Sequence, residues 1–480
     1  MSLSASDAVV TPDPAANLRA KAVRGLKAAS LGQAGKTIVD MLAQLALIRL
    51  LAPEHFGVFA FAQALTGFIS CFTDVAGTKF IVREGDRLDR RGVSTVFWIE
   101  LGLGLVVGAV WLAACIPLLA AFGKPEQVPF AQVLALWIIA ERVILPRALL
   151  DRGLQFGKTN LALFVGVVVG AIAAITAAAF GAGPWSFIVN LLVRTFVAAA
   201  GMWIITRWHP LGAIDWGTVR ALFRFGGPLM LTTALTFAYT NLDYIIVGQV
   251  AGYSAVGFYY AAYRYPHYLH QFNIIIASVL FPSFARAKDD AQLARGLRLV
   301  TRYASVLAMA PVLAMWTEGE TILRLLLGEK WLPALFPFQC FTTLAAARLA
   351  FIHWGQVYVA KGHTHTLMWV SVINTPLILG AAWAGVTWWG IEGAALGVTL
   401  VGVVTLAICC GVLVPRVLPG FRYGEALRPV LLAGAGALAV WLLGEWIWAE
   451  GWLGFVGAVG VYIAILVLTC RAEFASVIRK

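Results

Sequence analysis

The sequence predicts an all-α integral membrane protein of fourteen transmembrane helices, and three observations lead there. Hydrophobic residues make up 60% of the 480 positions and charged ones only 12%, about half the charged share of an ordinary soluble domain. Apolar runs of roughly 20 residues, each long enough to cross a ~30 Å hydrocarbon layer as a helix, recur along nearly the whole chain. The basic residues, which set a net charge of +12, fall on alternate connections between those runs.

Taken in order, apolar stretches bounded by charged or Gly/Pro-containing breaks place helices near 25–51, 56–82, 93–122, 128–150, 159–181, 185–206 and 225–250. They continue near 255–284, 299–327, 333–360, 366–388, 391–415, 429–448 and 453–470. Residues 1–24 are polar, contain proline and lack the apolar centre of a secretory signal, so they are expected to be a disordered cytoplasmic tail. Residues 471–480 form a second tail. The tails and the even-numbered connections hold twenty-six lysines and arginines, among them Arg83, Arg87, Arg90 and Arg91 after the second helix. The odd-numbered connections hold two, Lys124 and Lys330. The positive-inside rule then puts the cation-rich side and both termini in the cytoplasm.

Several function classes drop out at this point. The charge follows membrane sidedness, so no nucleic-acid partner is implied. Connections this short leave no room for a nucleotide-binding or glycosyltransferase domain, and no enzyme activity is expected. "SLGQAGKT" at 30–37 ends like a phosphate loop, but Ser30 replaces the first glycine and the stretch opens a membrane helix. The six cysteines sit in apolar runs without C-x-x-C spacing, so no disulfide framework, metal site or cofactor is indicated.

An ungapped offset of 200 residues aligns "ALIRLLAPEHFGVFAFA" (46–62) with "IVGQVAGYSAVGFYYAA" (246–262). Gly57 meets Gly257, Ala62 meets Ala262, Phe56 meets Val256 and Phe59 meets Tyr259. Both copies lie at a helix junction, six helices apart, as duplication of a six-helix unit would leave them. The expected domains are an N-lobe at 25–207, a C-lobe at 221–415 and an added helix pair at 429–470.

"RLLAPEHFGVFAFAQ", "FTDVAGTKFIVRE" and "FRFGGPLMLTTALTFAYTNLDYIIVGQVAGYSAVGFYYAAYRYP" resemble the polysaccharide transporter family, the bacterial O-antigen and exopolysaccharide flippases. These belong to the superfamily that also holds multidrug extruders and lipid II flippases. The most specific part is N-L-D-x-x-x-x-G with Gly-Phe-Tyr-Tyr-x-Ala at 241–262. The resemblance implies two six-helix bundles in a V around a central cavity, alternating access, and location in the bacterial inner membrane. It implies an undecaprenyl-pyrophosphate-linked oligosaccharide as cargo, with a polysaccharide polymerase and a chain-length regulator as further partners. A lipid II flippase and a cation-coupled drug extruder share the fold and stand as alternatives; a membrane glycan polymerase or ligase would need a large outward loop that is missing here.

Eight cations remain inside the spans. Arg49, Lys79 and Arg324 lie near helix ends, where they can snorkel. Lys36, Arg142, Arg194, Arg264 and Arg348 lie deep, and at roughly 3 kcal/mol each they are expected to face protein or water, not lipid. At 100° per residue, Lys36 shares a face with Asp40, and Arg194 with Ser186 and Asn190. Tyr260, Tyr263, Arg264, His267, His270 and Gln271 form one stripe. Arginine forks suit a pyrophosphate, and Tyr faces with amide side chains suit sugars, which makes these the candidate cargo-binding residues. Asp40 and Asp243 are the candidate ion-coupling residues. The bland alternatives are a structural Lys36–Asp40 pair, pairing of Arg142 with Glu141, and Asp243 as a solvated helix cap.

Overall fold

The computed structural model describes residues 14–212, 214–285, 289–351, 353–361, 363–419, 421–448, 457 and 459–465, and every regular element among them is helical. The first half holds α1 (Pro14–Leu50), α2 (Pro53–Ser70), α3 (Gly77–Glu84), α4 (Arg90–Ala121), α5 (Val128–Arg142), α6 (Arg147–Arg152), α7 (Phe156–Ala179) and α8 (Trp185–Thr206). The second half holds α9 (Trp216–Asn241), α10 (Asp243–Val250), α11 (Gly252–Ala285), α12 (Asp290–Thr317), α13 (Gly319–Leu326), α14 (Leu335–Phe351) and α15 (Trp354–Ala360). It continues through α16 (Thr364–Ile408), α17 (Val414–Val417) and α18 (Tyr423–Trp448). Among the described residues, ten segments are long and apolar enough to cross a membrane.

Helix ends depart from the sequence reading at identifiable places. α1 is helical from Pro14, upstream of the expected start: proline suits a first helical turn and the alanine-rich run after it favours helix. Residues 1–13 and 466–480 lie outside the described residues. The span expected at 56–82 is broken at Asp74–Ala76, where the Asp74 carboxylate accepts from the Ala76 amide at 2.8 Å and Ala76 is left-handed at φ +58°. That at 128–150 is broken after Arg142, just before Pro146, which lacks an amide proton. α16 reverses at Trp389 and Gly390, the latter at φ +61°, and its two arms close so tightly that a Cβ on Gly385 would collide with the Gly393 carbonyl. The phosphate-loop lookalike lies wholly in α1, where Gly32 and Gly35 admit Asn160 and Phe164 of α7.

The halves meet where α2 crosses α11. A Cβ added to Gly57 would strike the carbonyl of Tyr253, and one added to Gly257 would strike that of Pro53. Each partner lies 200 residues from the other, the reciprocity that a two-fold axis produces. Farther along α2, Gly248 accommodates the Phe61 ring and Phe237 covers Gly67; in the break beyond it, Gly226 lets the Val75 carbonyl approach. The largest apolar cluster surrounds the crossing, with Phe56 edge-on to Trp331 at 5.2 Å and to Phe187 at 4.7 Å.

Both lysines that the charge tally set apart, Lys124 and Lys330, sit at this end and grip the opposite half. Lys330 donates to the carbonyls of Arg49 (3.1 Å) and Leu51 (2.8 Å), while Arg49, near a helix end as expected, donates to the carbonyls of Leu325 and Leu326. Lys124 lies 4.3 Å from the Tyr253 ring centroid, and the Tyr253 hydroxyl donates to Glu126 at 2.9 Å. Removing both lysines should loosen the crossing. With spin labels at the exposed positions Glu54 and Ser254, pulsed electron resonance on the Lys124→Ala/Lys330→Ala protein should show a longer-distance population raised about fivefold, the effect of losing ~1 kcal/mol of hydrogen bonding.

The connector between the halves is strapped to the start of α4. Leu211 and Asp215 amides donate to the hydroxyls of Ser94 and Thr95, both at 2.9 Å, and Trp98 donates to the Leu211 carbonyl at 2.7 Å. Asp215 then caps α9, and the hydroxyl and amide of Thr218 hold its carboxyl below the usual carboxylate range.

Candidate functional site

A cavity of about 590 Å³ opens between α2 and the helices of the second half. Residues four and three apart on α11 build one wall, as helical periodicity requires: Tyr260, Tyr263, Arg264 and His267. From α9 come Thr236, Tyr239, Thr240 and Asn241, and from α14 Arg348. The α9 hydroxyls turn back on their own helix: Thr240 donates to the Thr236 carbonyl at 2.8 Å, and Asn241 donates to the Thr240 hydroxyl at 2.7 Å. Among the described residues, none of the cavity-lining side chains is a carboxylate.

Two arginines supply the charge. Arg348 donates to the Tyr263 hydroxyl at 3.1 Å, and Tyr263 in turn stacks on His267 at 5.8 Å. Arg264 lies 6.0 Å from the Tyr268 ring centroid with its Nε buried and without a hydrogen-bond partner. Neither makes an ion pair among the described residues. Asp40 acts electrostatically on Arg264, but its carboxylate is bonded to Arg194 at 3.4 Å. Asp243 acts on Arg348 in the same way, yet that carboxylate accepts the Tyr259 hydroxyl at 2.8 Å and the Tyr244 amide at 3.1 Å.

The side chains singled out from the sequence thus fall into separate places. Tyr260, Tyr263, Arg264, His267 and Arg348 share the cavity. Lys36, Asp40 and Arg194 lie together between α1, α7 and α8, with Asn190 one turn from Arg194; Lys36 donates to Asn160 at 2.9 Å instead of pairing with Asp40. Arg142 sits behind α2, 3.0 Å from Glu141 and 3.9 Å from Asp74, in space that Gly104 leaves free. Asp243 is 3% exposed, so it is not a solvated cap; it pins α10 to Tyr259 of α11. The side chains of His270 and Gln271 lie outside the described residues.

Sequence reasoning missed Ser371, Asn374 and Thr405 of α16 and Trp354 of α15, which also line the cavity. Ser371 and Asn374 are three apart on a predominantly apolar helix, a signal too sparse to stand out. Gln63 of α2 was hidden in the same way.

A family model described as polysaccharide biosynthesis protein matches residues 46–335. The chain is 25% identical over 365 residues to the succinoglycan biosynthesis transport protein ExoT of Rhizobium meliloti (strain 1021), covering 75% of this chain and 73% of that one. It is 23% identical over 430 residues to the lipopolysaccharide biosynthesis protein WzxC of Escherichia coli (strain K12), covering 87% and 85%. Among solved structures, the lipid II flippase MurJ in an inward closed conformation aligns with a TM-score of 0.72 at 12% identity, over 93% of this chain and 99% of that one. An inward-facing multidrug resistance transporter of the MATE family aligns at 0.57 and 16%, over 78% and 92%. Likeness at such low identity is a likeness of fold: a helical membrane-transporter architecture.

Proposed function

The chain belongs to the polysaccharide biosynthesis protein family, and from that premise we propose that it is a flippase that carries an undecaprenyl-pyrophosphate-linked oligosaccharide from the cytoplasmic to the outer leaflet of a bacterial inner membrane. The observation that carries this reading is the charge asymmetry of the interior. Arg142 and Arg194 are answered by carboxylates, whereas Arg264 and Arg348 face a cavity that, among the described residues, holds no carboxylate and gives them no ion pair. Buried cations without counter-ions are costly unless something anionic visits them. Paired oxygens of a pyrophosphate suit two guanidinium forks. A cation-exporting reading would want carboxylates there instead.

In this reading the chain forms two six-helix lobes, 25–207 and 221–415, in a V around the cavity, with the helices of 429–470 added and both termini cytoplasmic. The Gly57–Gly257 crossing with its two lysines joins the lobes, and rocking of one lobe against the other exposes the cavity to either side. The polyprenyl tail stays in lipid throughout. A polymerase and a chain-length regulator act on the delivered cargo.

The test is Arg264→Ala in cells whose surface polysaccharide depends on this protein. Losing charge-assisted hydrogen bonds of about 1.5–3 kcal/mol should cut surface polysaccharide at least tenfold while leaving the amount of membrane-inserted protein unchanged. Polysaccharide at the parental level would remove Arg264 from the site.

A further inference from the structure

We propose that the α16 wall of the cavity, built from Ser371, Asn374 and Thr405 beside Trp354, is a neutral sugar subsite distinct from the Arg264–Arg348 anion subsite, so that the cargo head group is read in two parts. This rests on the flippase reading above and specifies which part of the cargo each wall holds.

Orientation of one amide is the first support. The Thr405 hydroxyl donates to Asn374 Oδ1 at 2.7 Å, which fixes the amide plane and leaves the two Nδ2 protons as donors. Thr405 keeps its oxygen lone pairs, and so does Ser371, whose hydroxyl donates to the Leu367 carbonyl at 3.1 Å. Fixed donors therefore alternate with acceptors on a wall that carries no charge. A sugar ring offers the complement: hydroxyls that both donate and accept, and an apolar C–H face. Leu367, Val370 and Leu406 supply apolar surface for that face, with the Trp354 ring at the margin.

Depth is the second. Leu344 of α14 packs onto Gly402 of α16, whose missing side chain permits the contact. Arg348 is one turn beyond Leu344, and Thr405 is one turn beyond Gly402 on an arm that runs parallel to α14 because α16 has reversed. Arg348 and Thr405 thus stand at similar depth on neighbouring helices, placing a sugar beside a pyrophosphate without moving either deeper. The cavity's 590 Å³ is the size of a small-ligand site, roughly 300–1,000 Å³, and holds a head group rather than a polymer. Recognition is then confined to the pyrophosphate and the sugars next to it.

Two lipids separate the subsites when bound to the full-length protein in nanodiscs: undecaprenyl pyrophosphate, and the same lipid bearing a single hexose. Asn374→Ala, and the near-isosteric Thr405→Val should the first fold poorly, should weaken the hexose-bearing lipid by about tenfold, the worth of an oriented hydrogen bond, and leave the bare lipid unchanged. Arg348→Gln should weaken both. Equal weakening of both lipids by the Asn374 and Thr405 variants, or no effect on either, would overturn the sugar subsite. Failure of Arg348→Gln to weaken the bare lipid would instead overturn the anion reading, since the hexose difference is scored separately.

Discussion

Gly257→Leu is expected to remove most of the correctly folded protein from the membrane, and Gly57→Leu to do nearly the same. Crowding a tight contact costs about 1–3 kcal/mol when neighbouring side chains can yield. Here the first added atom already meets a backbone carbonyl, that of Pro53 in one case and Tyr253 in the other. Relief requires separating α2 from α11, which undoes the packing of Phe56, Tyr260 and Trp331 around the crossing. Gly102 and Gly227 provide the controls: both are helical, nothing lies within 4 Å of an added Cβ, and alanine there should be neutral or slightly stabilising by up to about 1 kcal/mol. Size-exclusion profiles and thermal melts of a fluorescent fusion report all four. A parental peak and melting temperature for Gly257→Leu would show that the crossing is not a fixed contact.

Arg142→Met should be the second most damaging change, and it should act on folding more than on transport. Its side chain is 9% exposed, with Glu141 at 3.0 Å and Asp74 at 3.9 Å from the guanidinium. It also acts on Glu100, which is 4% exposed and accepts the Gly77 amide at 2.8 Å. Removing one member of a buried charged group leaves the rest uncompensated, at a cost of about 3 kcal/mol, moderated by water reaching Asp74 and Glu141. Protein level in the membrane should fall severalfold, and Arg142→Met/Glu141→Gln should recover part of it. Normal abundance with lost transport would place Arg142 with the cargo contacts instead.

That contrast shows where the sequence was legible. Arg142 and Arg264 look alike in one dimension, each a lone guanidinium deep in an apolar run, and both qualify as cargo contacts. Glu141 precedes Arg142 directly, yet Asp74 comes from an unwound segment sixty-eight positions upstream. No periodicity joins two such residues. Likewise Lys36 and Asp40 share a helical face, but each found its bond on another helix, with Asn160 and with Arg194. The described part of the α11 stripe, Tyr260, Tyr263, Arg264 and His267, lines one cavity because its members lie on one helix, where spacing alone sets direction. Asn374 and Thr405 escaped notice since their pairing spans the reversal at Gly390.

By itself the sequence determined that the chain is helical and lives in a membrane, because apolar run length and the sidedness of lysine and arginine are local properties that a bilayer reads residue by residue. It also exposed the 200-residue echo that marks Gly57 and Gly257. Only the tertiary structure decided which buried cations meet carboxylates and which, among the described residues, line a cavity without one. The free energy of a charge in a membrane interior depends on what lies within a few ångströms in space, and residues far apart in the chain supply most of that company.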